Sequence, residues 1–399
     1  MTLLTHPELV AAVAKCRTPV VPERVSPVFD GDPVERIVAA LAIRERGGIP
    51  LVGDDRWSAE HSANARRIAA EAGPQPGQAW ATMTSGSTGA PRILLREAAS
   101  WAASFAAITG LLELTPEDSV YLPAPAASSL SLFSVAHAFA AGFSLVLPRG
   151  HTVSASDLAD ATVFHGTPSA LRSIVEAGGG PRLRAALVGG ADLDPRLRRR
   201  AEDLGIRVVS YYGAAELSFV AADAGDGLRG FPGVDIALRD GELWVSSPYL
   251  ASHSLSSGGP FRRDEAGWAT VGDRAEWVDG RLELRGRADD AILTAAATVI
   301  PAEVEAALRG IAGVADAVVF GYPAEGVGAL VSAVVEPEAA HPLPSSTELR
   351  RLAALTLAPA HIPRRWFEVA ELPRTVTGKP ARTEIVRAVL AGEVDRVAR

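Results

Sequence analysis

From about residue 35 to residue 211, short β-branched apolar runs alternate with longer stretches of helical spacing, and this alternation limits the fold more than any other feature. Pro50–Val52 follows a helical Ile37–Arg46 stretch. Phe143–Leu147 follows an apolar helical one. Thr162–His165 runs into a helix opened by Pro168, Ala186–Val188 into Asp194–Leu204, and Ile206–Tyr211 closes the series. Strands and helices alternating at these lengths give an α/β fold with a largely parallel sheet, whose ligands bind beyond the carboxyl ends of the strands. After residue 220 the texture changes. Gly241–Ser246, Trp268–Thr270, Ala275–Val278 and Leu282–Leu284 are short strands between Gly and Asp turns, a small β-rich subdomain. After Gly286 the order becomes helix (Pro301–Leu308), strands (Ala315–Phe320 and Leu330–Val335), helix (Ser346–Leu355), a strand near Trp366–Val369 and a last helix. The expected organisation is an N-terminal α/β domain, residues 1–286, carrying the β-rich subdomain, and a separate α+β domain, residues 287–399.

Charge and cysteine content narrow the function. A net charge of -8 argues against nucleic-acid binding, which needs a concentrated positive field. The lone Cys16 excludes an intrachain disulfide framework or a multi-cysteine metal site, and fits a reducing compartment. Met1 to Lys15 carries Glu8 and no apolar core behind a basic region, so no signal peptide is expected. Between Asp118 and Arg149 no residue is formally charged, but Pro123, Pro125, His137 and Gly142 interrupt the stretch. It is expected to be a buried core helix in a cytoplasmic protein with no membrane span. His137 is expected to pack rather than ligate, and Arg196, Arg198, Arg199 and Arg200 to form a solvated helix face.

The strongest local chemistry lies in Thr84-Ser85-Gly86-Ser87-Thr88-Gly89-Ala90-Pro91-Arg92. Its glycines let backbone fold around an anion, and its hydroxyls and amides offer donors to phosphate oxygens. It lacks the Gly-Lys-Ser/Thr of a Walker loop. Read alone, the same composition also suits a flexible linker. It follows a strand-like Thr82–Thr84 and precedes the helical Ala98–Leu112, the setting in which helix N-termini take phosphates.

This run resembles the Thr-Ser-Gly-(Ser/Thr)-Thr-Gly-x-Pro-(Lys/Arg) signature of the adenylate-forming superfamily of acyl-CoA synthetases, luciferases and adenylation domains. Further motifs follow in that family's order, from about residue 80 to 385. Gly189-Gly190-Ala191 resembles the adenine-side turn. Tyr212-Gly213-Ala214-Ala215-Glu216, preceded by Tyr211, resembles Tyr-Gly-x-Thr-Glu. The resemblance implies that Tyr211, Tyr212 and Gly213 bind the nucleotide, with an aromatic ring along adenine, and that Glu216 binds Mg²⁺. Gly272-Asp273 resembles the motif whose aspartate holds the ribose hydroxyls. Gly286-Arg287-Ala288-Asp289-Asp290 resembles the hinge, with Arg287 on ribose and Asp289 as pivot. Thr377-Gly378-Lys379 resembles the catalytic loop of the mobile C-terminal domain. Thr84 to Gly89 and Arg92 are thereby expected on the phosphates, and Lys379, Glu216 and Arg287 in catalysis. Of 39 basic residues only Lys15 and Lys379 are lysines, so a lysine here stands out.

The resemblance implies an ATP-dependent acid–CoA ligase working through an acyl-adenylate, with ATP, Mg²⁺ and coenzyme A. The alternatives are transfer to a carrier protein or an amine, and a catalytically weak nucleotide-binding relative. Several departures shape the expectation. The loop arrives early, as in the compact actinobacterial o-succinylbenzoate–CoA ligases, which implies a trimmed N-terminal subdomain. Ser128 stands at the usual His or aromatic gate of the acyl pocket, and Ser129 where amino-acid-activating relatives carry aspartate. An α-amino acid is therefore not expected. Small residues Ala124, Ser128, Ser129, Ala191 and Ala215 leave space for an aryl or medium acyl group. Ala215 and Val271 replace family threonines. Ala295 and Ala296 replace glycines beside the pantetheine path, which is expected to narrow it.

Overall fold

The computed structural model describes residues 2–398 except 86–90, 149–152, 154, 191–192, 257–259, 288–291, 294–297, 325–327, 339–340 and 376–377, and only the backbone of 84, 85, 91, 155, 287, 293, 298 and 328. Five strands run parallel in the spatial order Ser144–Leu147, Ser119–Tyr121, Val163–Gly166, Ala185–Val188 and Arg207–Ala214. They read as unbroken apolar runs because both faces are covered. Val163, Leu187 and Val209 face one core with the Ser129–Ala141 helix. Phe164, Ala186 and Val208 face the other with the Pro168–Glu176 and Pro195–Asp203 helices. Thr2–Leu4 adds antiparallel at one edge and Ser218–Asp223 at the other.

The uncharged stretch forms the Ser129–Ala141 helix, with Leu132, Phe133, Val135 and Ala138 buried. The Ser128 hydroxyl accepts from the Ser131 amide at 3.1 Å to start it, and Gly142 ends it at φ 93°. Among the described residues no helix is long and apolar enough to cross a membrane. His137 packs as expected, stacked on Phe105 at 4.6 Å and hydrogen-bonded to Thr109 at 2.9 Å.

A second sheet corrects one expectation. The Thr84–Arg92 run does not lead into a helix. It joins Gln78–Ser85 to an antiparallel strand, Pro91–Glu97, paired from Trp80 opposite Arg96 to Ser85 opposite Pro91, with a register shift between Gln78 and Trp80. The Ala98–Leu112 helix starts only after that strand. The strand was illegible because Ile93, Leu94, Leu95 and Arg96 are all buried, which removes the period-two alternation.

The β-rich segment forms a sheet that includes Glu242–Ser246, Asp273–Val278 and Arg281–Arg287 around Leu243, Val245, Ala269 and Val271. Beyond it, Val314–Ala324, Gly328–Pro337 and Arg365–Glu368 form a three-stranded sheet. One face packs on the Pro301–Arg309 and Ser346–Ala353 helices, the other on Arg382–Leu390.

Candidate active site

Parallel strands all end on one edge, so the segments that follow them meet there however far apart they lie in sequence. Thr167 follows Gly166, Gly189 and Gly190 follow Val188, and Tyr212 to Glu216 lie at the end of Arg207–Ala214. Gly213 is dictated locally. The register slips between Tyr212 and Gly213, and a Cβ there would stand 2.1 Å from the Ser218 carbonyl. This bulge turns the chain toward Glu216, which is 7% exposed.

Successive side chains of a strand leave opposite faces. Tyr212 faces the β-rich unit, where its hydroxyl donates to Asp273 Oδ2 at 2.6 Å. Asp273 lies directly opposite Arg287 in the antiparallel Asp273–Val278 and Arg281–Arg287 pair, so the two expected ribose residues are neighbours in backbone register. Val271, where the family carries threonine, is buried in that core rather than aimed at a ligand. Tyr211, expected at the nucleotide together with Tyr212, instead takes the other face, away from Asp273, because neighbouring side chains of a strand point oppositely. Its ring lies over Gly189, where a Cβ would stand 2.2 Å from the phenol Cζ. It packs on Phe219 at 4.7 Å, and its hydroxyl lies 3.2 Å from His165 Nε2. His165 Nδ1 in turn meets Ser134 Oγ at 2.5 Å. Burial, helped by His137, lowers the His165 pKa to about 3, and burial alone pushes the Tyr211 phenol up. Both stay neutral.

Lys379 comes to this edge from the far end of the chain. Its carbonyl accepts from the Thr375 amide at 2.7 Å, and the Gly378 amide donates to the Thr375 carbonyl at 2.8 Å. Arg374 braces the turn through Asp316 at 3.0 Å and Glu336 at 2.9 Å. A Cβ on Gly378 would stand 3.0 Å from Thr167 Oγ1, and one on Gly190 3.7 Å from Lys379 Cε. Arg172 also donates to the Ala315 carbonyl at 3.1 Å, and Arg196 to the Arg309 carbonyl.

The arginine cluster is thus a solvated face only in part: Arg199 and Arg200 are exposed as expected, whereas Arg196 and Arg198 turn back onto the protein. Arg198 donates to the Val208 carbonyl at 2.7 Å and pairs with Asp223 at 2.9 Å, tying helix to sheet. A guanidinium has donors enough to satisfy strand-end carbonyls, which a run of arginines does not reveal.

Sequence reasoning missed Arg96, which is 1% exposed. Its guanidinium donates to the Ala215 carbonyl at 2.5 Å, to Ser100 Oγ at 3.1 Å and to the Tyr249 carbonyl. Burial lowers its pKa to about 9, partly offset by nearby Glu216, so it stays charged at neutral pH. The Glu216 backbone is further held by the Ala251 amide at 2.8 Å. Arg92 Nε is buried with no hydrogen-bond partner among the described residues. Ser128, expected at the acyl gate, is 3% exposed and spends its hydroxyl on the helix cap, and Ser129 is the first residue of that helix. Gly86, Ser87, Thr88, Gly89, Ala191, Asp289, Ala295, Ala296 and Thr377 lie outside the described residues, as do the side chains of Thr84, Ser85 and Arg287. Among the described residues no group of three or more His, Cys, Asp and Glu could hold a metal ion by itself.

The fold is thus a doubly wound α/β sheet that carries a tyrosine–aspartate pair, a buried glutamate and a lysine-bearing turn near its carboxyl edge. The chain belongs to the AMP-binding enzyme family, which it matches over residues 3–253, and residues 303–379 match the AMP-binding enzyme C-terminal domain. A probable 2-succinylbenzoate–CoA ligase of Mycobacterium tuberculosis is 34% identical over 220 residues, covering 54% of this chain and 56% of the relative. The acyl–CoA ligase YhfT of Bacillus subtilis, itself uncharacterized, is 27% identical over 330 residues, covering 76% of this chain and 67% of the relative. The chain therefore spans only about half to two thirds of these relatives' length. The o-succinylbenzoate CoA synthetase MenE from Bacillus subtilis, solved with the acyl-adenylate intermediate OSB-AMP, superposes with a TM-score of 0.76 at 20% identity, covering 95% of this chain and 90% of that one.

Proposed function

We propose that this protein is an ATP-dependent ligase that joins a carboxylic acid to coenzyme A through an acyl-adenylate. The seat of Lys379 beside Gly190 and Thr167, on the edge that also holds Tyr212 and Glu216, supports this above all. In the first half-reaction a carboxylate oxygen attacks the α-phosphorus of ATP, and the bond to the β-phosphate breaks to release pyrophosphate. Little covalent work falls to the protein, which positions the reactants and neutralises spreading charge. The Lys379 ammonium is a compact point charge able to serve both the carboxylate and the α-phosphate oxygens. Tyr212, Asp273 and Arg287 hold the nucleoside, while Thr84 to Gly89 and Arg92 hold the phosphates. A buried carboxylate at Glu216, with Arg96 nearby, fits Mg²⁺ carried in on the triphosphate, because that ion takes one or two protein carboxylates and completes its shell with phosphate and water. When bound, the ion would neutralise charge on the departing pyrophosphate.

In the second half-reaction the CoA sulfur attacks the acyl carbon and AMP leaves. Residues 287–399 act as a mobile domain that turns about Asp289 between the two steps. Small residues at Ala124, Ser129 and Ala215 give the pocket mouth room for an aryl or medium acyl group. The lone cysteine fits the reducing cytoplasm.

A panel of carboxylic acids assayed for pyrophosphate release, with free thiol followed on adding CoA, tests the proposal. Release that requires both ATP and an acid, followed by thiol loss, is expected. ATP binding without release by any acid points to a catalytically weak nucleotide-binding protein instead. Release without thiol loss points to a carrier protein or an amine as acceptor, a reading favoured by Ala295 and Ala296.

A further inference from the structure

Tyr211 and Tyr212 are adjacent, yet their rings serve opposite faces of one strand. If the nucleoside lies with Tyr212 and Asp273 and the carboxylate meets Lys379, as proposed above, the acyl group leaves the nucleotide across Gly189 and Gly190, toward the Ser129–Ala141 helix. The Tyr211 phenol already stands there. Its ring covers Gly189 so closely that a Cβ would fall 2.2 Å from Cζ. Phe219, at 4.7 Å, backs the ring.

The ring is also pinned. Its hydroxyl lies 3.2 Å from His165 Nε2, and His165 Nδ1 lies 2.5 Å from Ser134 Oγ. His165 is 2% exposed and Ser134 5% exposed, so turning the phenol aside would strand a neutral imidazole nitrogen in an apolar core. We infer that Tyr211 is a specificity-determining residue that closes the inner end of the acyl pocket, so the enzyme takes compact acids (a single aryl ring or a short to medium chain) and rejects long-chain fatty acids. The inference rests on the acyl-adenylate reading of this site. Tyr211 thus sets the depth of the pocket.

Calorimetry with N-acylsulfamoyl-adenosine analogues, from acetyl through hexanoyl and benzoyl to dodecanoyl and hexadecanoyl, reads pocket depth without turnover. Each methylene that enters an apolar pocket is worth about fourfold in affinity. Wild-type affinity should climb at that rate, peak at a short or medium acyl group and then fall. Tyr211→Ala should move the peak to longer chains, whereas Tyr211→Phe, which keeps the ring, should leave it in place. Dodecanoyl binding to wild type as tightly as hexanoyl overturns the inference without any variant. An unchanged peak in a folded Tyr211→Ala overturns it as well. Sulfamoyl-adenosine that binds in no form contradicts the nucleotide site itself, a separate failure.

Discussion

Tyr212 and Asp273 lie on different sheets, yet their side chains meet at 2.6 Å. Such a pair fixes an acceptor and an aromatic face relative to each other before any ligand arrives. Asp273→Ala should weaken ATP binding whichever acid is offered, by roughly 1.5–3 kcal/mol, the worth of a hydrogen bond to a charged group. Tyr212→Phe keeps the ring and should lose less. Titration calorimetry with ATP decides this, and unchanged affinity in Asp273→Ala removes that residue from the site. Tyr212, Asp273 and Lys379 could be proposed from the sequence because each sits in a short motif whose chemistry demands its residue type. Arg96 was not. In a chain whose basic residues are nearly all arginine it looks like any surface cation, and only closure onto Ala215 and Tyr249, far along the sequence, reveals it. His165 and Ser134 were equally silent, since neither spacing nor motif joins them to Tyr211 before the helix packs on the sheet.

At the scale of elements, the parallel strands were readable as apolar runs, and the uncharged stretch as a buried helix. The Pro91–Glu97 strand was hidden by burial on both faces. Where the Ser129–Ala141 helix packs on the sheet, two imidazoles are held neutral. Burial lowers the His137 pKa to about 4, and burial with the His137 charge lowers that of His165 to about 3. Unfolded histidine titrates near 6.5, so between about pH 4 and 6.5 the unfolded chain binds more protons than the folded one. Their stabilisation is complete above pH 6.5 and is lost as pH falls toward 4, at up to about 1.4 kcal/mol per pH unit for each histidine. Urea midpoints should therefore drop between pH 6.5 and 5, and less steeply in His137→Gln, where the amide can still reach Thr109. A wild-type midpoint flat across that range contradicts the account of this interface.

At the scale of the whole molecule, the middle of the chain meets its C-terminal third. Arg172 and Arg196 reach the segment around Arg309 and Ala315, and the Gly378–Lys379 turn seats on Thr167 and Gly190. Motif order led to the expectation that Lys379 belongs with Tyr212 and Glu216, and its turn lies against Thr167 and Gly190 of the same sheet edge. The arginine contacts that seat it there were not foretold, because they use backbone carbonyls, which any sequence supplies. In this arrangement the lysine reaches the sheet's carboxyl edge on a turn rather than on a strand or helix. Its removal should leave ATP binding and the melting temperature nearly unchanged, since a residue in an exposed turn contributes little to stability. The rate of pyrophosphate release in a single turnover with ATP and an accepted acid, compared between wild type and Lys379→Ala, tests this most directly. A fall of about 10²–10³ is predicted, the usual worth of one charge-stabilising group in a transition state. Release at the wild-type rate would contradict the account.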